Sequence, residues 1–493
     1  MVIVRRTIKE ILEKRKKLDV LLINPPVTKR MFREELTYIE RNYWNVMDKF
    51  GTLWGDHKLE PNLGLLYIAS SLIERGVKTD LIDLNIIDHY YRDNFGIFLP
   101  IKKIEDTIRK KNAKIIGISG MTVNFGWVEK IAAIIKRERP DTFVVVGGLH
   151  PTFNADDILR DKNIDFVIRG EGEASLPELL DHIEDKKSFD NVRGLSYRKN
   201  NRVYHNKDRP LLKNLEKLPF PSFELLPKET NPLITRIYTS RGCRGKCKYC
   251  IVNNFFCNKI RFRKPENVLE EILHIQEKFK PDMFLIGDLT FFDNKKLALE
   301  LCGKLIKEKV DIRWWCQTRV DKINNNVCKI MKKAGCYQAA VGVESASELE
   351  NDSMNKNINL SKSIYACKKL KNNKIKVQTY WMFGLPNDTY KSSVQTIELI
   401  KKFIRDRLTD VTHIAINVPY PGTEPYEEPE KFGIEILNRN FSDYWMNCDD
   451  VSSGLPVYRT KYLSEIEIYI LWFMALKEAT NEYEKRLSEN LNI

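Results

Sequence analysis

Three cysteines at C-x3-C-x2-C spacing constrain this chain more than any other feature. Cys243, Cys247 and Cys250 follow a strand-like run at residues 234–239, so their sulfurs can project from one tight loop. Two glycines within the loop let its backbone turn sharply. Thiolate is the soft ligand that iron-sulfur clusters take, and three thiolates hold three irons of a 4Fe-4S cube. The spacing therefore predicts a cluster whose fourth iron is open.

Zinc is the main alternative for such a loop. A structural zinc site closes with four protein ligands, usually as two pairs, and no second C-x2-C pair occurs in the 493 residues. Seven further cysteines are scattered without a pairing pattern, and we expect them to pack in the core, with Cys257 and Cys316 able to reach the site. A long chain of this kind without a recognisable signal peptide is expected to be cytoplasmic.

At these residues the sequence resembles the radical S-adenosylmethionine (SAM) enzymes, whose signature includes an aromatic residue before the third cysteine, here Tyr249. The resemblance implies that the amino and carboxylate groups of SAM bind the open iron. It also implies an electron donor such as ferredoxin or flavodoxin, whose electron cleaves SAM to methionine and a 5'-deoxyadenosyl radical. That radical abstracts hydrogen from carbon of the substrate.

Ahead of the cysteine loop, strand and helix patterns alternate five times. After a basic helix at residues 1–17, the predicted strands lie at 19–23, 78–84, 114–119, 142–146 and 165–168. The predicted helices lie at 63–75, 101–111, 127–139, 155–160 and 174–183. This alternation predicts an α/β domain with a doubly wound parallel sheet over residues 18–188. In such a sheet, ligands bind beyond the carboxyl ends of the strands.

The loops after these strands are rich in glycine and small polar residues. The candidate binding residues are Asn24, Pro26, Gly120, Thr122, Gly147, Gly148, His150, Gly170 and Glu171. Together these loops resemble the cobalamin-binding domain of the cobalamin-dependent radical SAM family, which implies that this domain binds cobalamin. Some members keep the fold without the cofactor, so both states stay open.

One departure from related cobalamin domains concerns the lower axial ligand of cobalt. The D-x-H-x-x-G motif of methionine-synthase-like domains does not occur in the sequence, and Asp56 and His57 are adjacent without an intervening residue. We therefore expect a lower cobalt face without histidine. His150 is interpreted as a loop residue that lines the corrin or caps the next turn.

Two connecting segments stand out. Residues 27–62 form an insertion rich in aromatic residues, which is expected either to cover the ligands or to pack onto the domain. Residues 189–231 are predicted to hold a hairpin at 194–204 and a proline-bearing linker that marks the domain boundary.

The second domain repeats strand and helix six times within residues 232–428. Its predicted strands lie at 234–239, 283–287, 313–318, 339–343, 376–383 and 413–417. Six such units predict the partial (β/α)6 barrel of the radical SAM fold, with site residues at the carboxyl ends of the strands. Residues 429–493 are predicted to be a helical C-terminal region.

The resemblance also assigns SAM contacts at these strand ends. Asp288 is matched to the residue that binds the amino group of SAM, and Arg319 to the one that supports its carboxylate, as paired guanidinium donors suit a carboxylate. Glu344 and Ser345 are matched to contacts with the ribose and methionine parts, and the backbone at Phe383 to a position near adenine. A salt bridge inside the barrel mouth is the alternative for Arg319.

The predicted function is cobalamin-dependent methylation of an unactivated carbon in a small-molecule or lipid substrate. Radical oxidation, cyclisation or carbon-carbon coupling, with or without bound cobalamin, is the alternative. A tRNA-modifying methylthiotransferase is disfavoured because residues 1–242 contain no cysteine. A non-catalytic cluster or cobalamin carrier is disfavoured by the SAM-contact motifs.

The net charge of +14 raises the question of an anionic partner. The basic residues are spread through helices that also carry glutamate, a pattern typical of solvated helix faces. Nucleic acid is therefore disfavoured as a partner, whereas a membrane surface stays open. The apolar run at 468–476 is too short to span a bilayer.

Overall fold

The computed structural model describes residues 6–26, 61–229, 234–441, 444 and 455–491. These residues fall into two compact units, which divide between Leu233 and Ile234. The aromatic residues of the predicted insertion, together with Asp56, His57 and Cys448, lie outside the described residues. Within the described residues, no helix has both the length and the apolar character that crossing a bilayer requires.

The first unit is built on a seven-stranded sheet. Its strands are β1 (Lys16–Asn24), β2 (Thr79–Asp83), β3 (Lys111–Ser119), β4 (Phe143–Gly147), β5 (Phe166–Ile168), β6 (Leu195–Lys199) and β7 (Arg202–His205). They are ordered 2-1-3-4-5-6-7, and the first five are parallel. The predicted parallel α/β sheet is therefore confirmed.

The helices of this unit follow the strands. They are α1 (Ile8–Glu13), α2 (Leu63–Glu74), α3 (Leu84–Phe95), α4 (Ile101–Lys110), α5 (Phe125–Glu138), α6 (Leu149–Phe153), α7 (Ala155–Ile158) and α8 (Gly172–Glu184). Apolar side chains of β1, β3 and β4 pack against α4 and α5 in one buried cluster. Burial of this apolar surface is the main stabilising contribution to the layer.

The hairpin predicted at 194–204 forms, but it does not stand apart as a linker. Strand β6 pairs antiparallel with β5, and β7 pairs with β6, so the hairpin extends the sheet. Asn200 and Asn201 have φ of 50° and 59°, the left-handed pair that a two-residue hairpin turn requires. The parallel sheet thus ends in two antiparallel strands.

The strand order places a topological switch point between β1 and β3. Strand β1 is flanked by β2 on one side and β3 on the other, so the chain winds in opposite directions from it. In open α/β sheets the ligand crevice lies at this point, outside the carboxyl ends of the strands. Asn24 ends β1 and Gly120 follows β3, which puts the first predicted loops at the crevice.

The second unit contains six parallel strands, which confirms the predicted partial (β/α)6 barrel. They are β8 (Ile234–Ile237), β11 (Met283–Ile286), β12 (Trp314–Thr318), β13 (Cys336–Glu344), β14 (Lys376–Phe383) and β15 (Val411–Ile416). They neighbour one another in chain order. The strands β9 (Ser240–Arg241) and β10 (Arg261–Phe262) form a small antiparallel pair beside them.

Helices cover the outside of these strands. They are α9 (Val252–Phe255), α10 (Pro265–Phe279), α11 (Lys295–Lys307), α12 (Asn325–Lys333), α13 (Glu348–Ser353), α14 (Leu360–Asn372), α15 (Tyr390–Arg405), α16 (Glu424–Glu427) and α17 (Glu465–Leu491). The C-terminal region, predicted to be helical, also contains an antiparallel pair, β16 (Ile434–Ile436) and β17 (Tyr458–Thr460).

The long helix α17 lies along β15, the edge strand of the six-stranded sheet. Trp472 Nε1 donates to the carbonyl of Ile414 at 3.0 Å, and Arg486 Nη1 donates to the carbonyl of Thr409 at 2.8 Å. Both contacts satisfy backbone acceptors at the sheet edge. An uncovered edge of this kind is open to pairing with another chain, and α17 blocks that.

Candidate functional site

The loop that carries the three cysteines is fixed at its start by a buried carboxylate. Asp288, at the end of β11, accepts hydrogen bonds from the backbone N–H of Thr239 at 2.7 Å and from Ser240 Oγ at 2.6 Å, and further bonds from the same two residues. Burial raises the pKa of Asp288 above its usual value, while these donors oppose that shift. The end of β8 is thereby tied to the end of β11.

Backbone geometry then turns the chain into the loop. Gly242 has φ of 102°, and a side chain there would overlap the carbonyl oxygen of Lys259. Further along, the backbone N–H of Lys248 donates to the carbonyl of Met354 at 3.1 Å, and Asn355 Nδ2 donates to the carbonyl of Lys246 at 2.9 Å. The loop is therefore held from both sides.

All three cysteines of the loop line one cavity of about 390 Å³. A Cβ atom at Gly245 would lie 3.3 Å from Cys243 Sγ and 3.8 Å from Cys247 Sγ, so these sulfurs flank the space that the glycine leaves open. None of the other six cysteines in the described part of the chain lines the cavity, and these include Cys257 and Cys316. Three soft donors without a fourth fit a 4Fe-4S cluster that keeps one open iron.

An ion pair lies in the same cavity. Lys356 Nζ is 2.5 Å from Glu344 Oε1, and both side chains are largely buried. Glu344 has φ of 68° at a register shift between β13 and β14, a conformation that non-glycine residues seldom adopt. Strained backbone of this kind clusters at functional sites. A methyl group at Gly342 would overlap Glu344 Oε1 and approach Lys356 Nζ to 2.7 Å, so a side chain there would displace the pair.

Arg319 stands next to this pair. Its Nε donates to Asp321 Oδ1 at 3.1 Å and its Nη1 donates to the carbonyl of Lys356 at 3.3 Å. Arg319 and Lys356 together bring two cationic groups to the wall of the cavity that also holds the thiols. A ligand carboxylate bound there would meet complementary charge.

Another part of the cavity lining is neutral and partly aromatic. Tyr380, Trp381 and Met382 of β14 and His413 and Ala415 of β15 line the cavity. The rings of Tyr380 and His413 meet edge to face at 5.2 Å between centroids. Burial lowers the pKa of His413 to about 4, so its imidazole is uncharged at neutral pH.

Three residues predicted to contact SAM do not line this cavity: Asp288, Ser345 and Phe383. The Asp288 carboxylate is directed to Thr239 and Ser240 instead. Ser345 is buried, and its Oγ accepts from the backbone N–H of Ser347. The predicted residues Tyr249, Arg319 and Glu344 do line it, together with the three cysteines.

The structure adds Lys356, Tyr380 and His413, which the sequence analysis did not single out. Tyr380 could have been found, because it lies near the carboxyl end of a predicted strand, whereas His413 begins one. Lys356 follows α13 in a loop of polar residues and gave no such signal.

In the first unit, a polar network lies beneath the switch point. Asn24 Nδ2 donates to Asp83 Oδ1 at 2.9 Å, and Asn62 Nδ2 donates to Asn24 Oδ1 at 2.9 Å and to Ser119 Oγ at 3.1 Å. Burial raises the pKa of Asp83 to about 6. Asn24 and Pro26 are buried, and Asn24 and Asn62 together connect the ends of β1, β2 and β3.

The loops after β3, β4 and β5 are packed together at the same edge. The Gly120 N–H donates to the Gly147 carbonyl at 2.8 Å, and a side chain at Gly148, whose φ is 120°, would lie 2.6 Å from the Gly120 carbonyl oxygen. Thr152 Oγ1 donates to the Gly148 carbonyl and accepts from the Gly170 N–H at 3.0 Å. The predicted glycines are therefore brought to one place.

His150 and Glu171 have local partners in these loops. The His150 Nδ1 is 3.1 Å from Thr122 Oγ1, and its ring packs 4.4 Å from that of Phe125. Burial lowers the pKa of His150 to about 3. Glu171 Oε2 accepts from the Leu212 N–H at 2.8 Å. The carboxyl edge thus offers backbone and small residues to a ligand, and nothing lies within 4 Å of a Cβ placed at Gly170. That surface fits a broad, flat molecule such as a corrin.

Family models match both units. A model of the B12-binding domain matches residues 57–180, and a model of the radical SAM superfamily matches residues 237–400. An uncharacterised methyltransferase of Pyrococcus horikoshii is 34% identical over 374 residues, which span 74% of this chain and 78% of the relative. An anaerobic magnesium-protoporphyrin IX monomethyl ester cyclase of Rubrivivax gelatinosus is 27% identical over 66% of this chain and 60% of its own.

A solved structure shows the same fold. The radical SAM methyltransferase TsrM of Kitasatospora setae, determined with cobalamin and a [4Fe-4S] cluster bound, superposes with a TM-score of 0.64. The superposition covers 81% of this chain and 75% of TsrM, at 15% sequence identity. The likeness at this identity concerns the fold.

Proposed function

Because the chain belongs to the radical SAM enzymes that carry a cobalamin-binding domain, we propose that it methylates an unactivated carbon of a small-molecule or lipid substrate. The observation that carries this proposal is the cavity of the second unit, which is lined by three cysteine thiols and no fourth among the described residues. An open iron is what SAM cleavage requires, and this donor set provides for one.

The residues of the cavity take distinct roles in this proposal. Cys243, Cys247 and Cys250 hold the cluster, and Arg319 and Lys356 bind the carboxylate of the methionine part of SAM. Glu344, held by Lys356 and by its strained backbone, accepts from the SAM ammonium or from a ribose hydroxyl. Tyr380 and the uncharged His413 offer flat neutral surface to adenine or substrate.

Cobalamin would lie over the carboxyl edge of the first sheet. The loops after β3, β4 and β5, with Gly120, Gly147 and Gly170, would carry it through backbone contacts. When bound, cobalamin supplies the methyl group that the substrate radical accepts. The residues of the chain contribute orientation and exclusion of water at this edge.

A second candidate is radical oxidation or cyclisation without methyl transfer. The similarity to the anaerobic cyclase of Rubrivivax gelatinosus favours this candidate, because the matched region covers 66% of this chain. The two candidates share SAM cleavage and differ in the fate of a second SAM molecule.

The partners follow from the proposed chemistry. A one-electron donor such as ferredoxin or flavodoxin reduces the cluster, and the reaction takes place in a reducing cytoplasm. Every cysteine within the described residues is a free thiol, which agrees with that setting.

The test is reductive SAM cleavage by protein whose cluster has been reconstituted without oxygen. We expect 5'-deoxyadenosine to form with dithionite, and we expect no product from a variant in which Cys247 is replaced by alanine. Growth with hydroxocobalamin should give purified protein with the visible absorption of bound cobalamin. An intact cluster without any 5'-deoxyadenosine would refute the proposal.

A further inference from the structure

A second cavity, of about 310 Å³, lies against the cysteine loop in the second unit. We call it the basic groove. Among the nine described residues that line it, Asp293 is the only acidic one. Five are cationic, namely Arg244, Lys246, Arg319, Lys322 and Lys356. Arg244, Lys246 and Lys322 do not line the cavity of about 390 Å³ that the three thiols line, which we call the SAM cavity. The groove is therefore a separate surface that shares a wall with the first cavity.

The charge of the groove is only partly compensated. Arg244 Nε lies 3.5 Å from Asp293 Oδ2, and Arg319 and Lys356 pair with Asp321 and Glu344. Among the described residues, no carboxylate lies within ion-pair distance of the Lys246 or the Lys322 ammonium. Lys246 is exposed and Lys322 is half-buried. A groove with two uncompensated cations attracts acidic partners.

The groove borders the loop that carries the thiols. Gly245 lines both cavities, and Lys246 stands in the chain between two cysteine ligands. The loop is pinned there by the hydrogen bonds of Asn355 to Lys246 and of Lys248 to Met354. The same loop thus carries the thiols that line the SAM cavity and the residues 244–246 that line the basic groove. A protein docked in the groove would come close to the cluster without entering the SAM cavity.

We propose that the basic groove is the docking surface for an acidic one-electron carrier protein, an inference that rests on the proposed function. Each encounter transfers one electron: the reduced carrier is oxidised by one electron, the cluster is reduced by one, and no bond is made or broken. Transient redox encounters use small interfaces that charge complementarity steers, and a compact groove suits that contact. A nucleic acid would require a longer basic stripe.

The test compares two double charge reversals in the reconstituted enzyme. One carries Lys246→Glu and Lys322→Glu in the groove. The control carries Lys391→Glu and Lys402→Glu, which reverse two exposed lysines of α15 that form no ion pair among the described residues. Both double variants lower the formal net charge from +14 by the same amount, so a difference between them reports position and not total charge.

The probe is flavodoxin, and the readouts are its binding to the enzyme and the initial rate of SAM cleavage. At low ionic strength we expect the groove variant to bind flavodoxin at least about tenfold more weakly than the control, and to lose flavodoxin-driven cleavage in proportion. Cleavage driven by dithionite, which needs no docking, should fall far less than flavodoxin-driven cleavage. Binding to the unaltered enzyme should weaken with added salt, since salt screens exposed charges.

Several outcomes would overturn the docking proposal. They are equal flavodoxin binding by the groove and control variants, binding to the unaltered enzyme that does not respond to salt, and tighter binding of a short RNA than of flavodoxin. If the groove variant loses iron, Lys322→Glu alone replaces it, because that residue lies outside the cysteine loop. Failure of the unaltered enzyme to cleave SAM with either reductant would refute the proposed function instead.

Discussion

At the scale of single residues, the Glu344–Lys356 pair explains several features of the SAM cavity at once. It brings together the left-handed backbone of Glu344, the cation beside the thiols and the close approach to Gly342. A buried ion pair contributes little net stability, but removal of one partner leaves an uncompensated charge. We therefore infer that the strained and buried Glu344–Lys356 pair serves to bind a ligand in the cavity.

Replacement of Lys356 by methionine tests that interpretation. We expect SAM to bind at least about tenfold more weakly, and the free energy of unfolding to fall by roughly 3 kcal/mol, because the buried Glu344 loses its ion-pair partner. The double variant Glu344→Gln with Lys356→Met should regain stability without regaining SAM binding. Isothermal titration with SAM and urea unfolding measure both quantities. Unchanged SAM affinity in the Lys356→Met variant would contradict the assigned role.

Two buried carboxyl groups, those of Asp388 and Glu350, make the stability of the protein depend on pH. Burial raises the pKa of Asp388 to about 8, with the nearby charge of Glu350 adding to the effect, and burial raises the pKa of Glu350 to about 7. Both values lie above those of carboxyl groups in an unfolded chain, so the folded protein keeps protons that the unfolded chain releases. The stability that they contribute is complete below about pH 4 and is lost as pH rises through 8.

The change Asp388→Asn should flatten this dependence. For the unaltered protein we expect the free energy of unfolding to fall by roughly 3 kcal/mol between pH 5.5 and pH 8, relative to the variant. Asparagine can still accept the hydrogen bond from the Leu385 N–H, which is 3.0 Å from Asp388 Oδ2. The exposed Asp352, on α13, provides a control as Asp352→Asn. Parallel pH profiles for all three proteins would refute this reading.

At the scale of elements, the site depends on contacts between strand ends and loops. Asp288 joins β8 to β11 through Thr239 and Ser240, and the segment after α13 holds the cysteine loop from the other side. These two attachments position the thiols before any cofactor binds.

The role of Asp288 can be separated from direct SAM binding. With Asp288→Asn we expect lower iron content after reconstitution and a loss of about 2 kcal/mol in the free energy of unfolding, because the buried hydroxyl and amide donors lose a charged acceptor. The molecules that do hold a cluster should bind SAM normally. Full iron content combined with lost SAM binding would instead support the SAM contact inferred from family resemblance.

Elements also show what the sequence could reveal. The six strands of the second unit were predictable, because each is an apolar run followed by a helix pattern. Helix α3 was not, since Asp83 both ends β2 and caps the helix that begins at the next residue, so no loop separates them. The predicted strand ran through Leu84 and left the helix unseen.

The sequence likewise indicates some of the site residues and not others. The cysteine motif carries its own spacing, and Arg319 and Glu344 stand at strand ends, where ligands bind. Lys356 enters the cavity only because the loop after α13 packs against the cysteine loop. Asp288 sits at a strand end too, but its side chain turns to neighbouring backbone, which no spacing rule indicates.

At the scale of the whole molecule, each unit provides a carboxyl edge suited to a cofactor. The first presents glycine-rich loops at a topological switch point, and the second encloses thiols and charged groups within its strands. Methyl transfer needs both cofactors, whereas SAM cleavage alone needs only the second unit.

The assignment of one cofactor to each unit predicts the stoichiometry of the complete methylation reaction. With cobalamin, cluster and substrate present, each methylated product should be accompanied by one 5'-deoxyadenosine and one S-adenosylhomocysteine. Quantitative mass spectrometry of one reaction mixture measures all three. Enzyme without cobalamin should still form 5'-deoxyadenosine and no S-adenosylhomocysteine. Product formed with 5'-deoxyadenosine alone in the cobalamin-loaded enzyme would favour oxidation or cyclisation.

The helix that lies along β15 has a consequence for synthesis of the protein. Because α17 follows every strand of the six-stranded sheet in the chain, the carbonyls of Thr409 and Ile414 stay without Arg486 and Trp472 until the last part of this unit leaves the ribosome. Nascent chains carry an open strand throughout that interval, when pairing with a neighbouring chain is easiest. Chaperone protection of the nascent chain would therefore be needed until α17 has packed along β15.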